Sequence, residues 1–224
     1  MTPAEILSHV DHTLLKPEAT TQQIAALCSD ALRCSVASVC VNPRFVPLCV
    51  QLLGGRIPVC TVIGFPLGAA STAVKVFETK DAIANGADEV DLVIPIGALC
   101  EGDLSYVAAE LAAIRRASDG KILKVIVETC LLDENQKRTI CRLAAESGAD
   151  YIKTSTGFSS GGATEQDVSL FAAEIAAHRY PLKIKASGGI RTREAMERFL
   201  LLGADRLGCS AAVPLLAPAP EARL

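Results

Sequence analysis

The chain has no tryptophan, and aromatic residues make up only 4% of its 224 positions. Half of the residues are nevertheless hydrophobic, so the apolar content is mostly Ala, Val, Leu and Ile. That mix suits alanine-rich helices packed on buried, β-branched parallel strands. No apolar run approaches the roughly 20 residues that span a bilayer. The first eleven residues carry Glu5 and Asp11 with no basic residue before His9, a pattern foreign to a signal peptide. Positive charge is not in excess either. A formal net charge of -3 gives no electrostatic reason to expect nucleic-acid or acidic-membrane partners. Three histidines without ligand spacing argue against a zinc site. Cysteine, in contrast, is abundant. Nine are scattered along the chain, never as Cys-x-x-Cys, and most sit in apolar segments. They read as buried free thiols of a cytoplasmic protein, without a disulfide framework.

Of the features present, a repeat is the most informative. A helical stretch, then Gly-Ala-Asp, then a strand occurs at Gly86-Ala87-Asp88, Gly148-Ala149-Asp150 and Gly203-Ala204-Asp205. Glycine just past a helix supplies a left-handed cap, and two further residues lead into the next strand. The copies lie about 62 and 55 residues apart, the length of two strand–helix units each. Between them, strands are predicted at 10–14, 36–41, 57–63, 89–94, 122–128, 151–155, 182–186 and 206–209. Helices are predicted at 71–85, 104–117 and 165–177. Others are signalled by capping boxes at Thr20/Gln23 and Asp133/Gln136, by Pro43, and by Thr192 as a cap. Eight strands alternating with helices over one chain predict a single-domain (β/α)8 barrel across residues 1–224, with a frayed tail at 215–224. The runner-up is a doubly wound open sheet. It lacks the Gly-x-Gly-x-x-Gly that should follow its first strand.

Two of these strands carry lysine near their C-terminal ends, Lys153 and Lys185, and each runs into a glycine-containing loop. Alternation along a barrel strand sends every second side chain inward. Read that way, Asp91, Lys124, Lys153 and Lys185 face one interior. Tyr151 and Ser155 share the face of Lys153, Lys183 that of Lys185, and Glu89 that of Asp91. The competing reading is structural: lysines at the lower end reach water, and an Asp–Lys pair merely holds strands together. Against it, burying charge is costly unless it is paired or used. Chemistry that wants two close lysines is Schiff-base catalysis. The attacking amine must be neutral, which burial and a neighbouring cation favour. A carboxylate and the second lysine can then move protons. Gly157, Gly188-Gly189 and Gly208 to Ser210 follow the last three strands, where barrels commonly hold phosphate. Arg191 reads as solvent-facing, with an anion contact as the alternative.

Several motifs then carry a resemblance that covers roughly Ile6 to Ala212. They are Asp11-His12-Thr13-Leu14-Leu15, Val39-Cys40-Val41-Asn42-Pro43, Gly64-Phe65-Pro66-Leu67-Gly68, Glu89-Val90-Asp91, Lys124-Val125-Ile126-Val127-Glu128-Thr129, Lys153-Thr154-Ser155-Thr156-Gly157-Phe158, Lys185-Ala186-Ser187-Gly188-Gly189-Ile190-Arg191 and Arg206-Leu207-Gly208-Cys209-Ser210. With them the chain resembles the class I deoxyribose-phosphate aldolase family. The resemblance implies reversible cleavage of 2-deoxy-D-ribose 5-phosphate to acetaldehyde and glyceraldehyde 3-phosphate, without metal or other cofactor. It gives Lys153 the Schiff base, Lys185 the tuning of that amine and Asp91 a part in the proton relay. Gly157, Gly188, Gly189, Gly208 and Ser210 would hold the phosphate. Asp11, Thr13, Cys40 and Lys124 would line the pocket around the rest of the substrate. The family often forms homodimers, although no apolar stripe here identifies an interface. Two positions depart from the pattern. Pro95 stands where asparagine is usual, and no tyrosine follows Tyr180, whereas some members end in one that assists proton transfer. The alternatives are another Schiff-base aldolase, a catalytically silent sugar-phosphate-binding barrel, and a metal-dependent aldolase.

Overall fold

The computed structural model describes residues 1–118 and 120–217 and is a closed barrel of eight parallel strands in sequential order. The strands are β1 (Val10–Leu14), β2 (Ser38–Val41), β3 (Val59–Ile63), β4 (Glu89–Val93), β5 (Ile122–Ile126), β6 (Tyr151–Lys153), β7 (Lys183–Ser187) and β8 (Arg206–Cys209). The helices between and around them are α1 (Pro3–Leu7), α2 (Thr21–Cys34), α3 (Val46–Leu53), α4 (Thr72–Ala84), α5 (Ile96–Glu101), α6 (Leu104–Ala117), α7 (Glu134–Glu146), α8 (Glu165–His178), α9 (Arg193–Leu201) and α10 (Ala212–Leu216). The pairing of β8 with β1 closes the sheet and removes the open-sheet alternative.

Local chemistry explains the boundaries. Thr20 with Gln23 and Asp133 with Gln136 form reciprocal capping boxes at the starts of α2 and α7. Thr192 accepts a hydrogen bond from the Ala195 N–H to open α9. Pro43 begins a short 3-10 turn that leads into α3. Three short helices were not expected. α1 opens on its own box of Thr2 and Glu5, α5 starts beyond Pro95, and α10 contains Pro214. The expected frayed tail falls mostly outside the described residues. Its first two members, Leu215 and Leu216, belong to α10, and Leu216 is buried.

The strand period of two divides the residues into two very different sets. Outward-facing Val39, Val90, Leu92, Val125, Ile152 and Ile184 join the helices in one large apolar cluster. Inside the barrel the apolar cluster is small: Leu15, Cys40, Cys60 and Val62, with Phe65 against it. Much of the rest of the interior is charged, with Ser38, Val93, Ile126 and Tyr151 interspersed among the charged side chains.

Candidate active site

The strand register sets which side chains meet. Asp91 is paired with Lys124 across β4 and β5, and Lys153 with Lys185 across β6 and β7. Gly208 lies opposite Asp11, and Arg206 opposite Lys185. All of these positions belong to the inward face. The interior therefore holds Asp11, Glu89 and Asp91 with Lys124, Lys153, Lys185 and Arg206.

Asp91 is the hub. Its Oδ2 accepts from Lys153 Nζ at 2.8 Å and from Lys185 Nζ at 2.6 Å. Its Oδ1 accepts from Lys124 Nζ at 2.8 Å and from the Cys60 thiol at 3.1 Å. Burial alone would raise the Asp91 carboxyl, but Lys124, Lys153 and Lys185 overcome it and hold the group well below the usual carboxylate range. Below this hub lies a second tier. Lys185 Nζ reaches Asp11 Oδ2 at 2.6 Å, and Lys124 Nζ reaches Glu89 Oε2 at 2.5 Å and Asp11 Oδ2 at 3.6 Å. Arg206 bridges Asp11 and Glu89 from beneath. Asp11 is thereby also held below its ordinary range against the cost of burial, chiefly by Lys185. Burial would lower the two lysines Lys124 and Lys185, yet their carboxylate partners hold both above the ordinary lysine value.

A cavity of about 390 Å³ opens at the C-terminal ends of the strands, where barrel active sites lie. Lys153, only 3% exposed, is the member of the charge network that reaches it. Of the other expected residues, Thr13, Gly157, Gly188, Gly189, Gly208 and Ser210 line its wall. Asp91 and Lys185 lie under its floor. Asp11, Cys40 and Lys124 do as well, fully buried among the strands, so they sit beneath the cavity and not on its wall. The glycines make this packing possible at two points. A side chain at Gly208 would meet Ser187 Cβ at 2.8 Å and Lys185 Cε at 3.1 Å. Gly188 has φ +84°, and a Cβ there would lie 3.0 Å from Gly162 Cα.

Some members of the site were not expected. Lys16 is one, and it lines the mouth together with Arg191, whose anion contact was the alternative reading, so that two cations stand at the glycine-rich end. Arg191 is thus both exposed and on the cavity wall. Phe158 lines the cavity too and packs edge-on against Phe65 at 5.2 Å. Glu128, predicted as the end of a strand, instead turns into the left-handed region at φ +55°. From there its carboxylate accepts from the Thr156 N–H at 3.2 Å and fixes the loop after β6. Pro95 caps α5, outside the cavity wall.

Among the described residues, Cys40, Cys60 and Asp91 have donor atoms close enough to share a metal ion. Three ammonium groups already occupy Asp91 or crowd it, so a divalent cation there would face strong like charge.

Fold and cavity define the class: a (β/α)8-barrel enzyme with its cavity at the C-terminal strand ends. Residues 6–204 match the family described as DeoC/LacD family aldolase. A deoxyribose-phosphate aldolase of Clostridium perfringens is 50% identical over 217 residues, which cover 96% of each chain. A crystal structure of a putative deoxyribose-phosphate aldolase from Coccidioides immitis is 41% identical, with TM-score 0.94 over 96% of this chain and 86% of that one. The deoxyribose phosphate aldolase of Aeropyrum pernix, described as a unique tetramer, is 32% identical, with TM-score 0.85 over 96% and 91% of the two chains. The chain belongs to the DeoC/LacD aldolase family and is an aldolase, a carbon–carbon lyase.

Proposed function

We propose that the protein cleaves 2-deoxy-D-ribose 5-phosphate reversibly to acetaldehyde and D-glyceraldehyde 3-phosphate through a Schiff base on Lys153, with no metal in the reaction. The observation that carries this reading is the position of the Lys153 amine. It reaches the cavity while sharing a single oxygen of Asp91 with Lys185. Four interior cations face three carboxylates. Lys124 contacts all three carboxylates and Lys185 two, whereas Lys153 contacts Asp91 alone.

In this reading the neutral amine adds to the aldehyde carbon of the open-chain sugar. Asp91, bridging to protonated Lys185, takes up and returns the proton as water leaves. The iminium nitrogen regains a positive charge beside Asp91, so the carboxylate stabilises what the free amine lacks. Electron flow into the iminium breaks the bond between the second and third carbons as the hydroxyl on the third carbon gives its proton to Asp91 or an intervening water, and the third carbon becomes the aldehyde of glyceraldehyde 3-phosphate. The enamine left on Lys153 takes a proton and hydrolyses to acetaldehyde. Gly157, Gly188, Gly189, Gly208 and Ser210 would receive the phosphate, with Lys16 and Arg191 supplying charge at the mouth. The proton for the enamine would come by way of Asp91 or water.

A cytoplasmic location and a homodimer belong to the same proposal. The free state of all nine cysteines fits a reducing compartment, and no helix among the described residues is long and apolar enough to cross a membrane. Borohydride added with deoxyribose 5-phosphate tests the mechanism. A stable mass adduct is expected on the peptide that carries Lys153. An adduct on another lysine, or turnover without any adduct, would sink it.

A further inference from the structure

We infer that Cys60 is a positioning residue for this reaction, whose thiol holds the Asp91 carboxylate in the rotation that presents Oδ2 to Lys153 and Lys185. A carboxylate on a short side chain turns freely about its last bond unless both oxygens are held. Two lysine amines donate to Oδ2 from β6 and β7, on one side of β4. From the neighbouring strands on either side, Oδ1 is held by Lys124 on β5 and by Cys60 on β3. The four donors fill the four lone-pair directions of the carboxylate. Of these four, Cys60 is the one donor that is not a lysine.

The surroundings of Cys60 keep it in the donor form. It is fully buried, and burial, its contact with the Cys40 thiol and the adjacent Asp91 hold its own thiol well above the usual value, so the proton stays on sulfur. Lys124 Nζ donates to the same sulfur at 3.3 Å, which orients the S–H bond toward Asp91 Oδ1. Cys40 sits opposite on β2 and packs in the same small apolar cluster. The cluster accounts for the volume of a side chain at position 60 but not for a donor. Valine or alanine would fill an apolar site and leave one lone pair of a buried carboxylate empty. With that donor gone, Oδ1 is free to follow Lys124, and Oδ2 turns out of line between the two other lysines. Misplacing a relay group by a fraction of an ångström slows the step it serves while leaving substrate binding alone.

The inference rests on the Schiff-base reading, and the test separates the two. Cys60→Ala, Cys60→Val and Cys60→Ser are compared with the unaltered enzyme. Three quantities are read: kcat and KM on deoxyribose 5-phosphate, the rate of borohydride trapping, and the rate at which acetaldehyde exchanges its methyl protons with deuterated water. Alanine and valine should each lower kcat, trapping and exchange roughly 10- to 100-fold, with KM within about twofold. Serine, which restores a donor, should bring all three rates back to within about threefold of the unaltered enzyme. Valine keeps the volume, so one apolar variant remains folded for the comparison if alanine does not. Equal loss in serine and valine, a loss confined to KM, or unchanged rates in valine would overturn the role of Cys60. Failure to trap the unaltered enzyme would overturn the Schiff-base reading itself.

Discussion

The two faces of one sheet are built on opposite principles. Outside, Val90, Leu92, Val125, Ile152 and Ile184 are buried against helices in a continuous apolar layer. Inside, the same strands place Glu89, Asp91, Lys124, Lys153 and Lys185 in contact. An apolar interior of the same volume would be as stable or more so, because a buried ion network mostly recovers its own desolvation cost. The outer layer is therefore where the fold is held, and the interior is where the chemistry is kept.

A pair of substitutions should break this comparison cleanly. Asp91→Asn, on the inner face, is expected to lower kcat by about 10²- to 10⁴-fold. It also leaves three lysines around a neutral amide, with a stability loss of about 3–5 kcal/mol. Phe171→Ala, on the outer side in α8, should cost a similar 3–5 kcal/mol or so. Its kcat and KM in the folded enzyme should match the unaltered values. Urea unfolding and steady-state kinetics on the two variants read both quantities. If Phe171→Ala lowered kcat as far as Asp91→Asn, the division between faces would fail.

A smaller effect concerns pH. Asp11 and Asp91 are held below their unfolded values, so the stability they contribute is present above about pH 4 and is lost as pH falls through the lower folded values. Lys124 and Lys185 are held above theirs. Their contribution is present below about pH 10 and is lost as pH rises through the higher folded values. Urea midpoints should thus show no pH dependence from this cluster between about pH 5 and 9 and should fall outside that window. Asp91→Asn should flatten the acid limb. An acid limb unchanged in that variant would place the titrating groups elsewhere.

Much of this was legible in the residues because two kinds of signal are local. Capping boxes at Thr20 and Asp133 and the repeated Gly-Ala-Asp marked helix starts and strand entries, and β1, α6 and β8 fall where they were expected. Strand alternation put Asp91, Lys124, Lys153 and Lys185 on one face. Lys183 shares that face as expected but sits exposed at the lower end, over the Tyr151 ring. What stayed hidden depended on depth and on partners. Alternation gives a side, not a level, so nothing in the order of residues showed that Lys124, Asp11 and Cys40 lie under the cavity. Arg206 and Glu89 complete the lower tier through contacts between β4, β8 and β1 that no linear spacing records. Cys60 looked like one more inert thiol. The short helices α1, α5 and α10 span too few turns to show a period, and two of them begin at or contain proline.

The claim that interior charge serves chemistry is tested most directly by Lys153→Met, measured for both folding and turnover. Methionine keeps the length and apolar stem, and Asp91 retains Lys124 and Lys185 as partners. The expected result is a urea midpoint at or slightly above that of the unaltered enzyme, with kcat lower by on the order of 10⁴-fold or more. A variant that unfolds several kcal/mol more easily yet still turns over substrate would contradict the account, and would make the lysine a strut.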